Sequence, residues 1–186
     1  MKIAILGWGS LIWRPRNLAH DGHWRTDGPE LPIEFARISR DRCLTLVLVP
    51  SAPRLSTLWT VSTSASLETA IANLAEREGP TPRENIGFVW REQGAFRCNA
   101  APKEFSNLKR WLGLHDLDAV MWTDLSSNFA TKTDRARSLE NAIAYLKALP
   151  LAAASLAREY VEKAPAQVTT PLRRKIEKEL GWIARA

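Results

Sequence analysis

Gly7–Trp8–Gly9–Ser10–Leu11, directly after the apolar run Ile3–Leu6, is the segment whose residue types and spacing could do chemistry. Glycines permit positive φ and let the backbone approach a ligand closely, so several amide N–H groups can converge on an anion. A carboxylate or phosphate can be held this way without charged side chains. The expected ligand contacts are therefore Gly7, Trp8, Gly9, Ser10 and Leu11. A strand that simply ends in a tight glycine turn is the alternative. A dinucleotide fingerprint is not formed: bulky Ile12 stands where the third glycine belongs, and Pro15 disfavours a helix running on from the turn.

A carboxylate is the second chemical candidate. Leu67, Ala70, Ile71 and Leu74 recur at i, i+3, i+4, i+7, which predicts a helix over 67–78 with one core-facing stripe. At about 100° per residue, Glu78 falls roughly 20° from Leu67, on that stripe, whereas Glu76 falls about 180° away and faces solvent. Partial desolvation and the negative end of a helix dipole both disfavour a carboxylate anion, the setting in which a general base near neutral pH is made. The alternative is that the helix frays at Gly79 and Glu78 reaches water or pairs with Arg77 or Arg83.

The opening Gly7–Trp8–Gly9–Ser10–Leu11–Ile12–Trp13 resembles the start of the γ-glutamyl cyclotransferase-like family, whose glutathione-specific ChaC-type members often read Gly-Tyr-Gly-Ser-Leu-Ile-Trp. Trp8 replaces the tyrosine. That family places its catalytic glutamate at the end of the corresponding helix, in patterns similar to Glu-Arg-Glu-Met, and the matching position here is Glu78. The tyrosine common after that glutamate in relatives is missing from Pro80–Thr81–Pro82–Arg83. The resemblance covers the first half of the chain and weakens beyond about residue 130.

It implies an intramolecular aminolysis: the α-amine of a γ-glutamyl group attacks its own γ-carbonyl, releasing 5-oxoproline and an amine. Glu78 is then the catalytic acid/base, and the Trp8–Leu11 amides hold the glutamyl carboxylate or polarise the carbonyl. No cofactor or metal is expected. The partner implied is a small-molecule γ-glutamyl substrate: a γ-glutamylamine, a γ-glutamyl dipeptide, glutathione or a tagged metabolite. A noncatalytic γ-glutamyl- or small-anion-binding relative and a basic nucleic-acid-binding protein are the rival classes.

Bulk properties bound these readings. The chain has 186 residues and a net charge of +6, from 26 basic and 20 acidic residues. One domain is expected, with 1–130 as the core and 131–186 as a helical extension. No apolar run has the length of a membrane span and no secretory layout opens the chain, so a cytoplasmic protein without membrane or nucleic-acid partners is expected. The basic residues are scattered; the densest group, Arg173–Arg174–Lys175, reads as a solvated helix face. Cys43 and Cys98 read as buried thiols, and His20 and His23 lack further ligands at metal-binding spacing.

The elements that must position the two candidates follow from periodicity and turn signals. Strands are expected at 2–7, 33–39, 44–50, 57–62, 87–91 and 118–123, and helices at 67–78, 105–112, 135–149, 152–163 and 171–180. The predicted fold is mixed α/β, a small β-barrel or mixed sheet with an embedded helix and a helical C-terminal third. Thr123, Ser127 and Asn128 after the last strand are candidate substrate contacts, with turn and capping chemistry as the alternative. Arg14 and Arg37 are candidate anion contacts, with surface solvation as theirs.

Overall fold

In the computed structural model, which describes residues 1–79 and 81–185, the chain is mixed α/β. Its strands are β1 (Ile3–Gly7), β2 (Glu30–Ile38), β3 (Leu44–Leu48), β4 (Arg54–Ser56), β5 (Leu58–Val61), β6 (Ile86–Trp90), β7 (Ala95–Arg97) and β8 (Ala119–Thr123). Its helices are α1 (Leu67–Arg77), α2 (Phe105–Leu114), α3 (Phe129–Thr133), α4 (Leu139–Lys147), α5 (Leu151–Lys163) and α6 (Pro171–Leu180). None of the described helices is long and apolar enough to cross a membrane.

The strands make two sheets. One has five strands in the order β5-β1-β8-β6-β7, with β1 and β8 parallel and the other pairs antiparallel; the second has three, in the order β3-β2-β4. The expected barrel is not closed. Closure needs a ladder between outer strands, and β3 instead meets side chains at its outward edge: Trp8 Nε1 donates to the Leu46 carbonyl and the Leu46 amide donates to the Tyr160 hydroxyl.

Alternation along β1 and β8 divides the interior. Ile3, Ile5, Ala119 and Met121 face α1, where the Leu67, Ala70 and Leu74 stripe covers them. Ala4, Leu6, Val120 and Trp122 face the other way, into a larger core shared with Ile33 and Phe35 of β2. Ile143, Val161 and Ile176 of the last three long helices belong to that same core. Gly87, opposite Trp122 in the β6–β8 register, has no Cβ because the indole occupies that space.

The C-terminal region corrects two expectations. The helix expected over 135–149 is shorter, α4 over Leu139–Lys147, and an additional short helix, α3, precedes it and ends at Asp134 in the left-handed region (φ 54). Arg173, expected on a solvated face, is 1% exposed. Its guanidinium donates to the carbonyls of Val161, Ala164, Pro165 and Val168, which closes the C-terminal end of α5. The strand expected over 57–62 forms as β5, and a short strand not expected from the sequence, β4, precedes it and joins the other sheet.

Helix α1 starts where the sequence indicates. The Ser66 side chain accepts from the Thr69 amide, and the Thr69 hydroxyl accepts from the Ser66 amide, a reciprocal cap. It ends as Glu78 caps the last turn and Gly79 takes φ +91; Pro80 lies outside the described residues. Replacing Ser66 by Ala should cost about 1 kcal/mol of stability in a urea titration, with unchanged secondary structure by circular dichroism.

Candidate functional site

The turn after β1 is short and internally bonded: the Ile12 amide donates to Gly9 O (3.0 Å) and the Arg14 amide to Ser10 O (2.9 Å). The amides of Gly9, Ser10 and Leu11 donate to no protein acceptor among the described residues. The reason for the two glycines differs from the expectation. Neither has positive φ. A Cβ on Gly7 would lie 2.6 Å from the Trp24 ring, and one on Gly9 would overlap the Tyr160 hydroxyl. Close approach, and not a left-handed backbone, is what these positions require.

Trp8 is 6% exposed and its indole N–H is engaged by Leu46 O at 3.2 Å. Tyr160 on α5 brings its hydroxyl to Gly9, with Trp13 and Phe35 packed edge-on against its ring at 5.4 Å and 6.3 Å. Burial, with a smaller contribution from the Glu78 charge, pushes this phenol above its ordinary range, so it stays protonated.

A cavity of about 540 Å³ lies over the turn, and Gly7, Trp8, Gly9, Ser10, Leu11 and Glu78 all line it. Glu76 is exposed. The helix arithmetic thus separates the two glutamates as the fold does. Glu78 Oε1 accepts from Arg77 Nη1 at 2.6 Å and from the Thr123 hydroxyl at 3.2 Å, with the Glu78 side chain 19% exposed and that of Arg77 5%. Pairing with Arg77, the alternative left open by the sequence, is therefore present together with the inward placement.

Arg77 does more than pair. Its Nη2 donates to the Arg14 carbonyl (2.6 Å) and to Ser10 Oγ (3.4 Å), so one buried guanidinium ties the turn to the carboxylate. The sequence carried a signal for it, since an arginine beside an inward residue at a helix end is half inward itself. For Tyr160 the available signal was its place on the Ala157–Val161–Ala164 face of α5, which marks burial but not the cavity it reaches.

The loop after β8 divides its roles. Thr123 and Leu125 line the cavity. Ser127 and Asn128 instead fasten β2: Ser127 Oγ donates to Ala36 O, and the Asn128 amide pairs with both the N–H and the C=O of Ile38. Arg37 lines the cavity, while the Arg14 side chain lies 3.3 Å from Glu159 beside a smaller adjoining cavity of about 180 Å³. Cys43 and Cys98 are buried; burial and the adjacent Asp124 push the Cys98 thiol up to about 12. His20 Nδ1 accepts the Gly22 amide, and no group of three or more His, Cys, Asp or Glu among the described residues is arranged to hold a metal ion.

No protein-family model, curated protein or solved structure matches this chain.

The contact between Gly9 and Tyr160 has a measurable consequence. Gly9→Ala should cost about 1–3 kcal/mol in urea unfolding by overpacking. In a Tyr160→Phe background, where the clashing oxygen is gone, the same substitution should cost clearly less. Equal costs in the two backgrounds would show that the contact is not made.

Proposed function

We propose that the protein is a γ-glutamyl cyclotransferase-like enzyme that releases 5-oxoproline from a γ-glutamyl compound. The observation that carries this reading is that the Gly7–Leu11 turn and Glu78, far apart in sequence, line one cavity and are joined through Arg77. The likeness of Gly7–Trp13 to the opening of that family supports it.

In this reading the Gly9–Leu11 amides, which have no protein acceptor among the described residues, hold the glutamyl carboxylate or the reacting carbonyl oxygen. The α-amine nitrogen attacks the γ-carbonyl carbon, the new ring C–N bond forms, and the original amide C–N bond breaks. Two protons leave the α-ammonium in the course of the reaction. Glu78 accepts each and delivers it to the departing nitrogen, which leaves as an ammonium ion. Neither water nor a redox partner enters the balance. Ring closure is unimolecular, so the protein's main task is to hold the folded conformer, an effect that can be large.

Thr123 and Arg77 fix the carboxylate's orientation. Tyr160 accepts the Leu46 amide and retains its own proton to donate inside the cavity. A second reading, ligand binding without turnover, is favoured by the 2.6 Å ion pair that occupies one Glu78 oxygen.

Incubation with a panel of γ-glutamyl compounds should yield 5-oxoproline, and Glu78→Gln should slow its formation roughly 10²–10⁴-fold. That variant also deprives a buried guanidinium of its partner, so thermal melting and substrate binding by calorimetry are measured alongside. Binding by the wild type without product supports the second reading. Undiminished turnover in Glu78→Gln removes the residue from the mechanism.

A further inference from the structure

We infer that the amine released from the γ-glutamyl compound carries its own carboxylate, and that Arg37 recognises it; this rests on the cyclotransferase reading above. The argument begins with a backbone irregularity. In the β2–β3 ladder Phe35 pairs with Leu46, but the next pair is Arg37 with Thr45, leaving Ala36 as an extra residue. Before this bulge the core-facing residues of β2 are Leu31, Ile33 and Phe35; after it the core-facing residue is Ile38. Unbroken alternation would send Arg37 into the apolar core. The one-residue bulge turns it the other way, so that Arg37 and its partner Thr45 both line the cavity.

The bulge is fastened from outside. Ser127 Oγ donates to Ala36 O at 2.6 Å, and Asn128 accepts the Ile38 amide at 2.7 Å and donates to its carbonyl at 3.0 Å. Arg37 Nη1 donates to the Ser126 carbonyl at 2.8 Å. Among the described residues this is the one hydrogen bond of the guanidinium, which leaves the rest of its donor fork to a ligand. A bidentate carboxylate is the group that such a fork fits best.

Charge points the same way. Arg16, Arg37 and Arg40 line the cavity, and none of them is ion-paired among the described residues. Against them stand Asp41 and Glu78, and Glu78 is paired with Arg77. With the turn amides holding the glutamyl carboxylate, the first of the two roles given them above, the arginines call for a second carboxylate. A volume of about 540 Å³ leaves room for more than a glutamyl group. A neutral aliphatic amine would dry the half-buried Arg37 without pairing it, which is unfavourable.

The test compares two substrates that differ in one group, γ-glutamyl-alanine and γ-glutamyl-alaninamide, in wild type and in Arg37→Gln and Arg37→Lys. The wild type should favour the acid over the amide by about tenfold or more in kcat/KM, mainly through KM. Arg37→Gln should bring that ratio close to one, and Arg37→Lys should restore part of it. A misfolded variant loses both substrates together, so the ratio reads recognition apart from folding. A wild-type ratio near one, or an equal loss on both substrates in Arg37→Gln, overturns the inference while leaving the cyclotransferase reading intact. If no compound of the γ-glutamyl panel yields 5-oxoproline, that reading fails, and calorimetry decides the inference alone: tighter binding of the acid that is lost in Arg37→Gln sustains a second-carboxylate site, and equal binding of the two compounds refutes it.

Discussion

The site is organised around one buried guanidinium. Arg77 is the last residue of α1, and its side chain reaches back beneath the turn that follows β1. From there it donates to the Arg14 carbonyl, to Ser10 Oγ and to Glu78. Each of these groups belongs to a proposed half of the site, so their separation is set by one rigid planar ion. A cation this deep is tolerable only when it is well hydrogen-bonded and paired, and removing either partner of such a pair is costly. The reciprocal cap at Ser66 and the apolar stripe of α1 matter to function because they fix where that ion sits.

A second constraint joins the two ends of the chain. The free edge of β3 at Leu46 is satisfied by Trp8 from the N-terminal turn and by Tyr160 from α5. An unpaired buried peptide group is expensive, so this edge has to be met by something. Here the two side chains that meet it also form the cavity wall. The C-terminal helices thus contribute to the site, and Arg173, by closing the end of α5, holds the element that carries Tyr160.

Local rules reached part of this. The stripe over 67–74 and its phase at Glu78 were legible because a helix repeats regularly, and the Thr170–Pro171 start of α6 because capping chemistry is local. The Gly7–Leu11 segment was legible as a special turn, yet its glycines were explained by the wrong property. Nothing near Gly9 in sequence announces that Tyr160 will lie against it. Arg37 was legible as a candidate anion contact, but not its route to the cavity: strict alternation assigns it to the core, and a bulge is created by pairing across strands. Open sheets in place of a barrel and a buried Arg173 are likewise outcomes of long-range packing.

The central claim is that the turn and Glu78 close a γ-glutamyl group on itself without water. Mass analysis of the product formed from a γ-glutamyl compound in ¹⁸O-labelled water tests it most directly. Ring closure predicts 5-oxoproline free of ¹⁸O. Glutamate carrying ¹⁸O would contradict the claim, because water would then have attacked the γ-carbonyl in place of the α-amine.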